Sequence, residues 1–266
     1  DVAAQLTHAA YRTVGSPSVI VHAPAGFDAR APLRLVVFLH GYNGCVSVLM
    51  GRGEVACKPG DRPREGWDLG RYHDAAHTNS LFVVPQLAYL KRDGRPGAFA
   101  RPGGFRAFLE ELLAGPLAPL LGGPRKLADV ARIDLMAHSA GYQTALAIME
   151  EGGLAAGLLQ SVVLFDALYA ETPRFARYVA QHARQGLRFV VISLANGIPD
   201  RESRLLAAAL RAKLGKAQVI TTDASGIAQT VALHPIVIAQ GKPPHRLVPA
   251  AHLAEVLAAL HHPAAQ

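Results

Sequence analysis

The chain has 266 residues, a formal net charge of +7, 50% hydrophobic residues and 18% charged residues. This balance excludes intrinsic disorder, and the length suits a single α/β domain over residues 1–266. No apolar run approaches the roughly 20 residues of a membrane-spanning helix. The basic residues are scattered and no nucleic-acid-binding motif is present. We therefore interpret the charge as a solvated surface and expect no nucleic-acid partner; the oligomeric state stays open.

Apolar runs that alternate with amphipathic segments predict the elements in chain order. The first two strands, Ala10–Val14 and Val19–His22, are expected to pair antiparallel. After them strands alternate with helices, which predicts a mostly parallel sheet with helices on both faces. The other predicted strands are Leu35–Leu39, Leu81–Val84, Ile133–Ala137, Ser161–Phe165, Arg188–Leu194 and Ala217–Thr221, and the predicted helices are Trp67–His77, Phe105–Leu113, Thr144–Met149, Pro173–Ala183, Arg201–Leu214 and Pro249–Leu260.

A serine flanked by small residues follows the strand at 133–137. The sequence there is Ala137-His138-Ser139-Ala140-Gly141, an A-x-S-x-G version of the nucleophile elbow. A sharp turn between strand and helix would expose the Ser139 hydroxyl, and the backbone N–H of Ala140 would open the helix. We expect His138 to pack under this turn.

A glycine-bracketed loop follows the strand at 35–39. It reads His40-Gly41-Tyr42-Asn43-Gly44. Such a loop can direct a backbone N–H at a developing oxyanion, so Tyr42 and Ala140 are the candidate oxyanion-hole residues.

The two motifs, in this order and with one further strand between them, resemble the α/β-hydrolase superfamily over roughly residues 18–260. The resemblance implies an α/β-hydrolase fold and a serine hydrolase that uses no cofactor. Lipases and epoxide hydrolases commonly carry a lid where this chain has only a helix and short loops, between Phe165 and Arg188. We therefore expect no large lid domain and a carboxylesterase for an exposed or polymeric substrate.

Two aspartates compete to orient the catalytic base. Asp166 follows a predicted strand directly, whereas Asp200 follows the next strand after a loop, which is the more usual position in the superfamily. Asp200 also suits the N-cap of a helix that begins at Arg201. The segments 136–142 and 164–169 resemble bacterial serine hydrolases with an A-H-S-G-G-Y-like elbow and an L-D-A-L-Y strand end, which favours Asp166.

Candidates for the base downstream are His234, His245, His252 and the terminal pair His261 and His262. His245 lies in a loop that leads into the last helix, which is where the base is expected. His252 would lie within that helix, and His234 lies in a segment that is either a strand or an insertion. We assign His245, with Ser139 and Asp166 completing the triad.

A second histidine pair offers a different chemistry. His73 and His77 have the spacing of the zinc-hydrolase motif H-E-x-x-H, but an aspartate replaces its glutamate and no third ligand is recognisable. We interpret both as surface residues and assign no metal site.

The two cysteines are Cys45 and Cys57, twelve positions apart after the H-G motif. We expect them to form a disulfide, because the chain begins without methionine and an exported protein, secreted or periplasmic, lies in an oxidising compartment. Alternatives to the esterase are a peptidase or amidase on the same scaffold, acting on cell-wall peptide, and a non-catalytic binding module.

Overall fold

The computed structural model describes residues 1–261 and contains one nine-stranded sheet and a separate two-stranded one. The strands are β1 (Val2–Ala4), β2 (Val19–His22), β3 (Leu33–Leu39), β4 (Glu54–Val55), β5 (Arg64–Glu65), β6 (Leu81–Pro85), β7 (Val130–His138), β8 (Leu159–Phe165), β9 (Arg188–Leu194), β10 (Val219–Asp223) and β11 (Ile236–Gly241). The α-helices are α1 (Val46–Met50), α2 (Leu69–Asp74), α3 (Gly104–Ala114), α4 (Ala118–Leu121), α5 (Tyr142–Glu151), α6 (Thr172–His182), α7 (Ile198–Leu214), α8 (Ile227–Leu233) and α9 (Val248–His261).

The large sheet has the order β1-β2-β6-β3-β7-β8-β9-β11-β10. β2 runs antiparallel to both of its neighbours, and all strands from β6 to β10 in that order run parallel. The predicted fold class, a mostly parallel sheet between helices, is confirmed.

Alternate residues of the central strands enter two separate apolar cores. Along β3, Leu35 and Val37 belong to one core and Val36 and Phe38 to the other. Helices α3, α5, α6 and α7 contribute to the first core, and α1, α2, α8 and α9 to the second. Burial of both faces explains why the central strands are continuous apolar runs. None of the helices within residues 1–261 is long and apolar enough to cross a membrane.

Some sequence-based elements are wrong. Residues 10–14 form no strand, and β1 at Val2–Ala4 pairs with β2 in their place. Between 223 and 245 the sequence predicted no definite element, but the structure has α8 and the strand β11. β11 lies between β9 and β10, where its backbone is paired on both sides.

Candidate active site

The candidate nucleophile and acid follow two neighbouring strands of the sheet. β7 leads into Ser139 and the adjacent parallel strand β8 leads into Asp166, so both residues lie at the same edge. Their φ angles are +54° for Ser139 and +44° for Asp166. This left-handed region is unfavourable for L-residues and is concentrated at functional sites. The sharp strand-to-helix turn expected for the elbow is therefore present.

Two glycines permit the close approach of the H-G loop to the elbow. A Cβ at Gly41 would lie 2.6 Å from the Cβ of Ser139, and one at Gly141 would lie 2.5 Å from the carbonyl oxygen of Leu39. Both distances are shorter than real carbon contacts, so a side chain at either position would push the two segments apart. Ala137, where the G-x-S-x-G form has glycine, is fully buried.

The candidate base meets Asp166 at this edge of the sheet. His245 begins a short 3-10 turn, His245–Leu247, directly before α9, and its Nδ1 lies 2.5 Å from Oδ2 of Asp166. The other carboxylate oxygen accepts the backbone N–H of Leu194 at 3.0 Å. With both oxygens engaged, Asp166 holds the tautomer of neutral His245 that carries its lone pair on Nε2.

Tyr169 connects the serine and histidine sides of the site. Its phenol lies near the Ser139 side chain, and its ring lies edge-on to His245 with 6.4 Å between centroids. Burial, with the nearby Asp166 carboxylate, raises the pKa of Tyr169. Within residues 1–261 the ring of His245 is hydrogen-bonded to Asp166 and its backbone carbonyl to His138, and no hydrogen bond joins it to Ser139. Such bonds are often long without substrate and tighten when it binds.

The H-G loop is held from inside by its own histidine. His40 is buried, and its Nε2 accepts the backbone N–H of Leu87 at 3.0 Å. Its Nδ1 donates to the carbonyl oxygen of Gly41 at 2.8 Å. Burial lowers the pKa of His40 to about 4, so the ring is neutral at pH 7. This support positions the backbone of the neighbouring Tyr42, whose side chain is exposed.

The comparisons with known proteins concern the fold. No protein-family model matches the sequence, and no curated protein matches it. A solved structure described as FAE aligns with this chain with a TM-score of 0.59 and 10% identity. The alignment covers 100% of this chain and 97% of the FAE chain. This chain has the α/β-hydrolase fold.

Two further solved structures align less closely. One is a variant of the esterase rPPE, with a TM-score of 0.47 and 13% identity over 92% of this chain and 76% of the other. The second is a hormone-sensitive lipase from a metagenome library, with a TM-score of 0.44 and 10% identity. The alignment covers 97% of this chain and 84% of the lipase. Because both TM-scores are low, these two alignments add no further evidence about this α/β-hydrolase fold.

The competing acid lies elsewhere in this α/β-hydrolase fold. Helix α7 begins at Ile198 with Gly197 as its N-cap, so the expected helix start at Arg201, with Asp200 as its cap, is wrong. Asp200 is buried and its carboxylate accepts from the backbone N–H of Asn196, the amide of Gln240 and the guanidinium of Arg204. The structure thus places Asp166, rather than Asp200, against His245.

The competing histidines are likewise apart from this pair. His234 follows the C-terminus of α8, and His252 lies within α9, 2.6 Å from the Glu255 carboxylate. Helix α2 ends at Asp74, before His77, so the zinc-hydrolase spacing does not lie on one helix. The expectation that His73 is a surface residue is wrong, because its side chain is fully buried.

His138 has a contact that the sequence did not indicate. Its buried Nε2 donates to the backbone carbonyl of His245 at 3.0 Å, and the two rings have centroids 4.5 Å apart. Trp67 packs edge-on against the other side, at 5.3 Å. Burial lowers the pKa of His138 to about 3. The residue before the candidate nucleophile therefore supports the loop that carries the candidate base.

The expected disulfide is present beside this site. Cys45 and Cys57 are joined with a Cα–Cα distance of 5.8 Å. The bridge closes the loop that follows the H-G motif and lies next to a cavity of about 240 Å³, which Tyr42, Trp67 and Arg246 help to line. Cys45, which follows the candidate oxyanion loop, lines this cavity, and the disulfide connects it to Cys57.

Proposed function

We propose that this protein is a serine hydrolase that cleaves a carboxylic ester through an acyl-enzyme. The observation that carries the proposal is the contact of 2.5 Å between Asp166 and His245, at the sheet edge where Ser139 occupies a left-handed turn. A serine on such a turn, with a histidine and an orienting carboxylate beside it, is the arrangement that nucleophilic acyl transfer needs.

The mechanism assigns one role to each residue. Ser139 attacks the carbonyl carbon, and Nε2 of His245 takes the hydroxyl proton. Asp166 fixes the histidine tautomer and stabilises the imidazolium. The N–H groups of Tyr42 and Ala140 hold the tetrahedral oxyanion. His245 then protonates the leaving alcohol, and a water molecule, activated by the same histidine, hydrolyses the acyl-enzyme.

The shape of the site favours an exposed or polymeric ester as substrate. The connection between β8 and β9 contains helix α6 and short turns, which leaves no lid domain over the site. The neighbouring cavity of about 240 Å³ is smaller than the roughly 300–1,000 Å³ of a typical small-molecule pocket. A substrate group that enters this cavity would have to be small, and the rest of the substrate would lie outside it. The disulfide supports an exported, oxidised location.

Active-site labelling tests this proposal. A fluorophosphonate probe should label the wild type, and Ser139→Ala should abolish labelling with a melting temperature close to that of the wild type. Ser225→Ala, which removes an exposed serine, is the matched control and should label normally. Persistent labelling of Ser139→Ala would refute the nucleophile, and no labelling of the wild type would favour the binding module.

A substrate panel then separates the two enzymatic alternatives. p-Nitrophenyl esters of graded acyl length and peptide anilides should be compared by kcat/KM. We expect turnover of the short-chain esters. A preference for the anilides would replace the esterase with the peptidase or amidase on the same scaffold.

A further inference from the structure

A second group of imidazole and carboxylate side chains lies at the sheet edge opposite Ser139. His22 ends β2 and pairs with Phe82 near the beginning of β6, whereas Ser139 follows the end of the parallel strand β7. His73 and Asp74 end helix α2, and the His73 ring stacks on Phe82 with 5.2 Å between centroids. The proposed mechanism uses none of these groups.

The three side chains have the separation that one metal ion requires. One potential ligand atom each from His22, His73 and Asp74 lies within 4.8 Å of the others. Nε2 of His22 is 2.8 Å from Oδ1 of Asp74. The two imidazole rings are nearly perpendicular, at 83°, with centroids 5.6 Å apart.

The hydrogen bonding of His73 is an independent indication that this cluster can bind a ligand. The side chain is fully buried, with its Nε2 at 2.9 Å from the hydroxyl of Ser80, but within residues 1–261 its Nδ1 has no hydrogen-bond partner. An unpaired buried polar atom is costly and therefore uncommon in folded proteins. If Nε2–H donates to Ser80, Nδ1 of the neutral ring carries the lone pair, which is the form that binds metals.

His22 has the outer contact that is typical of a metal-binding histidine. Its Nδ1 lies 2.8 Å from a carboxylate oxygen of Asp1, which leaves Nε2 on the side of Asp74. Metal-binding histidines almost always donate their second N–H to a carboxylate, a carbonyl or water, which fixes the ring orientation. Ser80 offers His73 a corresponding contact.

We propose that His22, His73 and Asp74 bind a divalent transition-metal ion, with Zn²⁺ as the occupant and water as the fourth ligand. Two imidazoles and one carboxylate are ligands that suit tetrahedral zinc. With Nδ1–H of His22 donating to Asp1, the ion would bind the lone pair of Nε2, and any proton on Nε2 would go to solvent. Because the site joins α2 to β2 at the edge opposite Ser139, the bound ion stabilises this contact and takes no part in hydrolysis at Ser139.

The test uses the tag-free full-length protein after treatment with a chelator. Titration with Co²⁺ should give one equivalent of binding and the visible absorption of tetrahedral cobalt, which Zn²⁺ should displace. Zn²⁺ should also raise the melting temperature. His22→Gln and Asp74→Asn should each weaken metal binding by at least about 10-fold, since each removes a ligand.

His77→Gln is the matched control, because His77 is exposed and belongs to the same sequence motif but not to the cluster. It should bind cobalt like the wild type. Absence of stoichiometric binding, or binding that neither His22→Gln nor Asp74→Asn weakens, would overturn the proposal. An equal loss in His77→Gln would also overturn it. Fluorophosphonate labelling should be the same with and without Zn²⁺, which keeps this test separate from that of the hydrolase.

Discussion

His138 and His245 are 107 positions apart in the chain, yet the imidazole of the first donates to the backbone carbonyl of the second at 3.0 Å. The two rings are in contact, with centroids 4.5 Å apart. The residue that precedes the candidate nucleophile is thereby connected to the backbone of the candidate base. This relationship gives His138 a positioning role that can be tested separately from the triad.

Replacing His138 by phenylalanine should preserve the ring packing and remove the hydrogen bond. We expect kcat on a p-nitrophenyl ester to fall about 5- to 10-fold with little change in KM, since one neutral hydrogen bond is worth about 1 kcal/mol. His138→Gln, whose amide can donate from a similar place, should recover part of the loss. Unchanged kcat in His138→Phe would show that the contact does not position His245.

Asp166→Asn and Asp200→Asn should have opposite effects on activity and stability. The first removes the charge that stabilises the His245 imidazolium, so kcat should fall by about 10³- to 10⁴-fold, as in a serine protease with the same triad. The second should keep its kcat and lose about 1–3 kcal/mol in the free energy of unfolding, because Asp200 is a buried partner of Arg204. Steady-state kinetics and urea denaturation measure the two effects. The reverse pattern would make Asp200 the acid.

Reduction of the disulfide should destabilise the protein. The bridge between Cys45 and Cys57 closes a loop with a sequence separation of 12, for which loop-closure entropy gives about 3 kcal/mol. In domains somewhat smaller than this one, a loss of 1 kcal/mol lowers the melting temperature by about 2–4 °C. The melting temperature of this protein should therefore fall by several degrees. Differential scanning calorimetry with and without reductant measures this, and the double variant Cys45→Ala/Cys57→Ala should reproduce it without responding to reductant. A reductant-independent melting temperature in the wild type would contradict the prediction.

The free energy of unfolding should decrease between pH 6.5 and pH 4. Burial lowers the pKa of His40 to about 4 and that of His138 to about 3, below about 6.5 in the unfolded chain. In this window the unfolded state binds more protons than the folded state, so acid favours unfolding by up to about 1.4 kcal/mol per pH unit for each histidine. Urea denaturation at pH 7, 6 and 5 measures the slope. His138→Phe should show a shallower slope, and an equal slope would contradict the assignment to His138.

The local sequence was sufficient to predict the central strands, the elbow and the H-G loop. The continuous apolar run of β3 and the small residues around Ser139 are short-range patterns, because a strand buried on both faces and a tight turn constrain neighbouring residues directly. β9 has the predicted bounds, Arg188–Leu194. The strand β11 was missed, because a short apolar run after a helix can belong to either kind of element.

The sequence favoured Asp166 over Asp200 through a resemblance alone, and the tertiary structure is what places Asp166 beside His245. Asp166 and His245 are 79 positions apart, and their contact depends on how β8, β9 and β11 are ordered in the sheet. The same holds for His22 and His73, which the sequence left unrelated and the fold brings together. Contacts over such separations depend on strand order and on the packing of helices, and a local pattern of residue types contains no information about either.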